Sequence, residues 1–573
     1  MSEPFTVQGL LEDYRAGRRT PSDVAREVIA RADAVDAPVW ISRVCDEELL
    51  ARAAALDDAD PSLPLYGIPF AVKDNMDVAG IPTTAGCPGF AYTPSETATA
   101  VQLLLDAGAL LVGKTNMDQF ATGLVGTRSP YGVDGSVFDP DRVSGGSSSG
   151  SALAVALGLV AFSLGTDTAG SGRVPAAFNA LVGLKPTRGL ISTRGVVPAC
   201  ASLDCVSIFA HTAVDASLVL GVAGAYDALD PWSREAEVPM SPRRGLLGVP
   251  LEGQLEFTEP EAAAAWEAAL EHAATQWTLV PVDVSPMLDA APLLYASWVA
   301  ERTADLLEVI DGEPEGLDPT VARIVRSGRD LSAVDVFAAA HKLAELRLAA
   351  DRVWEDVDAL MLPTTPGHPT HAQVAADPVG VNEALGRFTN FVNLMDMAAV
   401  AVPAPVRGDG LPFGVSLLAP ASHDYRLLRA SASWSGEPAA VDEPGLVQLA
   451  VLGAHLSGMP LNHQLTDRGA RFVCATTTAP EYEFYALPDG KRPALSRTED
   501  GAAIACEVWA LPAAALGEML GLIGAPLGLG RVTLADGSEV TGFICESGAL
   551  DDAVDITEHG GWRAYLPAQA APA

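Results

Sequence analysis

SGGSSSGSALAVALGLVAFSLGTDTAGSGRVPAAFNALVGLKPT, running from Ser144 to Thr187, carries the most specific pattern in the chain. Two clusters of small residues, Gly145-Gly146-Ser147-Ser148-Ser149-Gly150 and Thr168-Ala169-Gly170-Ser171-Gly172-Arg173, flank an apolar middle. Ser151 to Leu159, rich in Ala and Leu, is expected to form a buried helix, and Val160 to Gly165 a short buried strand. A helix followed by a strand doubles back, so the clusters can meet although 24 positions separate Ser147 from Ser171. Glycines beside each serine let the backbone approach a ligand and aim N–H groups at it. That is the local chemistry of an oxyanion hole. A phosphate loop would end in Gly-Lys-Ser/Thr, which is absent here. A flexible serine-glycine linker is the plain alternative, and the apolar run between the clusters argues against it.

At 573 residues the chain exceeds what one hydrophobic core usually supports, so a large domain plus a smaller one is expected. A hydrophobic fraction of 49% and a charged fraction of 19% fit an ordinary globular protein. The start, MSEPFTVQGLLEDYRAG, is acidic and amphipathic and lacks the basic, apolar pattern of a signal peptide. No apolar segment is long enough for a membrane span. Seven cysteines without a CxxC pair read as reduced packing residues of a cytoplasmic protein. A net charge of −37 disfavours nucleic acid and anionic membranes as partners. Screening over roughly 8 Å weakens that field at physiological salt, so an anionic substrate would need only a local arginine in a desolvated pocket.

Ser22 to Ala34 has the pattern of a capped amphipathic helix. Leu65 to Val72 (LYGIPFAV) reads as a buried strand that ends at Lys73. Desolvation there lowers an ammonium's pKa and makes Lys73 a competent base near neutrality. Lys114 is the competing lysine, at the end of a strand expected over Ala109 to Gly113 after a helix over Thr97 to Gly108. Asp167 and Arg173 read as partners that fix the second serine loop. Tyr295 and Arg302 lie seven apart, so one helix face can present both; by spacing alone a packed Tyr and an ordinary surface Arg is the favoured reading. His368 and His371, in PGHPTH, read as a loop near the surface with no metal role. Pro412 to Leu418 is expected to be a late strand of the large domain, residues 1–435, with a linker over 436–445. The remainder, 446–573, alternates strand-like segments with one helix, Ala513 to Ile523, as a small α+β domain does. In its GAHLSGMPLNHQL segment, His455 follows a buried strand and a glycine, where a cavity often opens, and suits proton transfer. Asn462, His463, Glu507 and Tyr485 are candidate lining residues.

GGSSSGS, GTDTAGSGR and GLKPT together resemble the signature of the amidase-signature family. The likeness runs from YGIPFAVKDNMD at Tyr66 through GKTNMDQFATG and GTRSPYG to PFGVSLLAP at Pro412–Pro420. It implies an α/β fold with a large mixed sheet surrounded by helices. It also implies a serine–serine–lysine triad of Ser171 as nucleophile, Ser147 as bridge in a cis peptide linkage, and Lys73 as base. The amides of Thr168, Ala169, Gly170 and Ser171 would form the oxyanion hole, and neither metal nor cofactor would be needed. FNALVGLKPTRGLIST and VPACASLDCVSIFA resemble the allophanate hydrolase subgroup. LLYASWVAER at Leu293–Arg302 is similar to that subgroup's segment for gripping the substrate carboxylate, one residue shorter, which implies substrate-binding roles for Tyr295 and Arg302. The last domain resembles the subgroup's extra domain, itself similar to gamma-glutamyl cyclotransferase-like folds. The resemblance implies a cytoplasmic homodimer that deaminates allophanate to N-carboxycarbamate, with His455 aiding its decarboxylation. A separate urea carboxylase would supply allophanate where urea is the source. Another small-amide amidase, a glutaminase-type subunit of a tRNA-dependent amidotransferase and a non-catalytic scaffold remain the alternatives.

Overall fold

Strands that are apolar on both sides belong inside a sheet covered on both faces. The computed structural model, which describes residues 4–240, 244–438, 441, 443 and 445–570, puts them there. Eleven strands form one mixed sheet. In chain order they are β1 (Trp40–Arg43), β2 (Pro69–Lys73), β3 (Leu110–Thr115), β4 (Phe162–Asp167), β5 (Val182–Lys185), β6 (Cys205–Ala210), β7 (Leu246–Pro250), β8 (Thr278–Val282), β9 (Ala359–Pro363), β10 (Met397–Pro403) and β11 (Gly414–Pro420). Across the sheet they run β1-β3-β2-β4-β6-β5-β10-β11-β9-β7-β8. β2, β3 and β4 are mutually parallel neighbours at one side, and antiparallel pairs fill the centre. Alternate residues of β9 serve opposite cores: Ala359 and Met361 join one, Leu360 and Leu362 the other.

The helix expected over Ser151–Leu159 forms over Ser149–Ala156, and the following strand is β4. Nearly every side chain of that helix and all of those of β4 are buried, which fits their lack of charged surface residues ahead of Asp167. The helix expected over Ser22–Ala34 spans Pro21–Asp33 and begins one residue early, because Thr20 and Asp23 close a capping box ahead of it.

The chain divides into two compact units. One takes in residues up to Ala236 and resumes at Gly245 through the helix Asp424–Trp434; the other takes in Glu237–Arg244 and the chain from Glu443 onward. The excursion at 237–244 carries no sequence signal that assigns it to the second unit. Positions 439, 440, 442 and 444 of the expected linker lie outside the described residues. The second unit holds a five-stranded sheet and a three-stranded one, with a helix at Ala513–Leu520. Its core gathers Leu449, Val451, Phe484, Val508, Trp509 and Met519.

Two readings of surface and interior need correcting. Cys45 and Cys474 are exposed, so the packing role holds only for the buried Cys87, Cys200, Cys205 and Cys506. His368 is not near the surface. It is 1% exposed, stacks on Phe178 with ring centroids 3.9 Å apart, and its Nε2 meets the Val143 carbonyl at 2.8 Å. Burial pushes its pKa down to about 4, against that hydrogen bond. The proline and glycine that signal a loop say nothing of depth. His371 opens the helix His371–Ala376.

Candidate active site

Lysines at the ends of neighbouring strands point where the pleat sends them. In the β2/β3 register Lys73 lies beside Thr115, and Lys114 beside Val72. Residues paired across strands share a face and successive residues alternate, so the two lysines project to opposite sides of the sheet. Lys73 Nζ donates to Ser147 Oγ and to Thr166 Oγ1, both at 2.7 Å. Lys114 turns instead to Thr83 Oγ1 at 2.6 Å, the Pro82 carbonyl at 2.9 Å and the Asp74 carboxylate at 3.1 Å. Both are fully buried. Burial pushes the Lys73 pKa down to about 7, against the pull of Asp118, Asp204 and Asp167, with Arg302 helping to lower it. Near neutrality a substantial fraction of Lys73 is therefore a free amine.

Ser147 sits in a loop held from several sides. The Gly146–Ser147 peptide is cis. The Ser147 carbonyl accepts the Asp118 N–H at 3.0 Å, and the buried Asp118 carboxylate takes the amides of Gly126 at 3.0 Å and Arg128 at 2.8 Å. Gly145 has φ of 79°, and a Cβ there would lie 2.8 Å from Pro175 Cα, so glycine is required. The second serine cluster is pinned by Arg173, whose Nε and Nη2 each reach the Asp167 carboxylate at 2.9 Å with neither residue exposed. Burial alone would raise the Asp167 carboxyl; the guanidinium overcomes it and holds it below the usual carboxylate range. The clamp fits the structural role expected of both residues.

Ser171 Oγ donates to the Gly123 carbonyl at 3.4 Å, near the long limit of a hydrogen bond. Among the described residues it makes no bond to Ser147. The amides of Thr168, Ala169, Gly170 and Ser171 donate to no acceptor among the described residues, although all four residues are buried. Unpaired buried donors of this kind are costly unless a ligand answers them. Thr168 Oγ1 donates to Asp204, which also takes the amides of Ala199 at 2.8 Å and Cys200 at 3.2 Å.

Tyr295 and Arg302 do not share a helix face. They lie in separate helices, Leu293–Ala296 and Val299–Asp311. The Trp298 N–H reaches back five residues to the Leu293 carbonyl, which swings the second helix out of phase with the first. Arg302 is 5% exposed and donates to the Thr122 hydroxyl; Tyr295 lines a cavity whose wall includes Arg387 and Asn390 but not Arg302. In the second unit, His455 lines a cavity with Gly453, Gln464 and Phe543, and its Nε2 meets Gln464 Oε1 at 3.0 Å. Burial lowers its pKa, partly offset by that bond. None of Asn462, His463, Glu507 and Tyr485 lines this cavity. Glu507 is spent on Ser457, Trp509 and Arg563, Asn462 on the His455 carbonyl, and Tyr485 on Glu483.

Thr166, Asp118, Thr122 and Asp204 are functional neighbours that the sequence alone did not single out. Thr166 lies inside the GTDTAGSGR motif, and a polar side chain near the end of a buried strand was a usable signal. Nothing local ties Thr122 to an arginine 180 positions away.

A mixed sheet carrying a buried lysine against a serine on a glycine-serine loop defines a class, the amidases. The chain belongs to the amidase family: the Amidase family profile matches residues 23–428, and that of the allophanate hydrolase C-terminal domain matches residues 447–567. The chain is similar to the urea amidolyase of Saccharomyces cerevisiae, at 43% identity over 92% of this chain and 31% of that one. It thus spans about a third of the length of the urea amidolyases it matches. The allophanate hydrolase structure of Kluyveromyces lactis superposes with a TM-score of 0.86 at 39% identity, covering 99% of both chains. One subunit of the glutamyl-tRNA(Gln) amidotransferase of Acidobacterium capsulatum is 37% identical over 64% of this chain and 85% of its own. Among the described residues, no helix is long and apolar enough to cross a membrane.

Proposed function

We propose that the protein is an allophanate hydrolase whose large unit works through Lys73, Ser147 and Ser171. One observation carries the reading: a fully buried lysine, with a pKa brought down to about 7, 2.7 Å from a serine hydroxyl. Neutral Lys73 takes the Ser147 proton as Ser147 takes that of Ser171. The Ser171 hydroxyl turns from the Gly123 carbonyl toward Ser147 to do so, a tightening that substrate commonly brings. Ser171 Oγ attacks the amide carbon, and the amides of Thr168 to Ser171 receive the oxyanion. Each such donor is worth about 2.7–4 kcal/mol of transition-state stabilisation. The relay then returns a proton to the departing ammonia, and water cleaves the acyl-enzyme to give N-carboxycarbamate. The second unit assists its decarboxylation through His455, and the net products are ammonia and carbon dioxide.

The likeness to urea amidolyases and to an allophanate hydrolase supports this substrate. A separate urea carboxylase as supplier, a homodimeric state and a cytoplasmic location belong to the same proposal. The test is ammonia release from allophanate, glutamine, malonamate and aliphatic amides. Preference for glutamine would turn the reading toward the amidotransferase subunits.

Arg302 is assigned to the substrate carboxylate, since it is buried, positively charged and close enough to lower the Lys73 pKa. Arg302→Ala is expected to weaken turnover of allophanate far more than that of a neutral amide. A buried charge pair left half unpaired costs roughly 2–5 kcal/mol, about thirty-fold and upward. Equal losses on both substrates would make Arg302 a support of the fold.

His455→Ala in the full chain is expected to leave the first ammonia unchanged and to slow carbon dioxide release. Ammonia and carbon dioxide measured in the first seconds of reaction decide the matter. Carbon dioxide appearing as fast as with the parent would mean that the intermediate decays in solution without the second unit.

A further inference from the structure

A cavity of about 670 Å³ in the large unit has no part in the chemistry so far. Its wall includes Tyr295, Glu256, Glu383, Arg387 and Asn390, and Arg387 is the one cation among its lining residues. The cavity wall is linked to the loop that carries Ser171 through one residue, Thr389. Asn390 follows Thr389, a fully buried residue whose carbonyl accepts Arg173 Nη2 at 3.1 Å. Gly170 lies so close to Thr389 that a Cβ would come within 2.4 Å of its hydroxyl oxygen. One residue therefore separates the cavity wall from the second serine cluster.

Arg387 is loosely held. Its side chain is 40% exposed and faces Glu256, itself 78% exposed, at 3.5 Å. Among the described residues Arg387 Nε and Asn390 Oδ1 have no hydrogen-bond partner, so turning either group toward a ligand breaks no bond at that atom. The wall carries two carboxylates against one guanidinium, within a chain of net charge −37. Arg387 is the one lining side chain whose charge attracts an anion, against two carboxylates that repel it. Charge at the mouth of a cleft acts on encounter rate and on discrimination between substrates.

We infer that this cavity is the entry chamber for a carboxylated amide, and that Arg387 selects for the carboxylate while Glu256 competes with it. The inference rests on the anionic substrate proposed above. Arg387 draws the carboxylate in, Glu256 yields the guanidinium, and the substrate passes to Arg302 and the serines. Arg387 is a specificity residue and touches no reacting atom.

The test compares kcat/KM for allophanate with that for propionamide in the parent, Arg387→Gln and Glu256→Gln, at low and physiological salt. Arg387→Gln is expected to lower the allophanate-to-propionamide ratio about tenfold at low salt, through KM, with a smaller effect as salt rises. Glu256→Gln, at an exposed site that tolerates substitution, is expected to raise the ratio by up to about fivefold, the range of a surface ion pair. An unchanged ratio in Arg387→Gln, or two variants shifting the ratio in the same direction, overturns the inference. A parent that releases no ammonia from allophanate overturns the substrate reading instead. The chamber is then judged by the same two variants with malonamate as the anion.

Discussion

Ser171→Ala is expected to abolish ammonia release from every amide and to leave the fold intact. The structural cost is small because, among the described residues, the lost hydroxyl makes only the 3.4 Å bond to the Gly123 carbonyl. The carbon it keeps still fills a site that is 2% exposed. The chemical cost is large: deleting a nucleophile that acts as one unit with its proton relay lowers kcat by about a million-fold in comparable hydrolases. The measurement is ammonia under saturating substrate, alongside a thermal melt. Appreciable turnover by a variant that melts with the parent would remove Ser171 as nucleophile and direct attention to Ser147.

Lys73→Ala is the second large loss, expected at about a hundred- to ten-thousand-fold in kcat, the usual worth of a positioned general base. The parent's rate should rise with pH through about 7 and level off above it. The base acts as the free amine, and burial has brought the Lys73 pKa down to about that value. Lys73→Ala should lose this limb along with the rate. Lys114→Ala provides the contrast. It leaves the buried Asp74 carboxylate without its partner, so a stability loss of about 3–5 kcal/mol is expected. Activity per folded molecule should survive far better than in Lys73→Ala, since Lys114 lies across the sheet from the serines. Equal loss of activity per folded molecule in both variants, or a pH profile flat from acid to base, would leave the base unassigned.

Much of the large unit was legible because its elements are local in origin. An apolar run without charged residues must be buried, whether helix or strand, and Ser149–Ala156, β2 and β4 follow that rule with ends shifted by a few residues. The serine clusters declared themselves by composition, since glycine beside serine suits little else than close backbone approach. The weaker readings all depended on direction. Tyr295 and Arg302 had helical spacing, yet one backbone bond out of step at Trp298 sent their side chains to different places. Asn462, His463, Glu507 and Tyr485 had suitable chemistry for a cavity wall, and other partners had already taken all four.

Composition and local pattern were enough to pick out the side chains that have the chemistry: two serines among glycines, two lysines at the ends of apolar strands, and a pair of charges on the second loop. The choice of Lys73 over Lys114 rested on the apolar run before it and on the family resemblance, since burial lowers the pKa of both. Strand register is what gives the two lysines different surroundings. Lys73 pairs with Thr115 and Lys114 with Val72, one step apart in a pleat of period two. That single step sends one ammonium to Ser147 and the other to Asp74. The step arises at a local irregularity: Phe70 pairs with Leu111 but Ala71 with Gly113, so Val112 is passed over, and nothing in the composition around either lysine announces it.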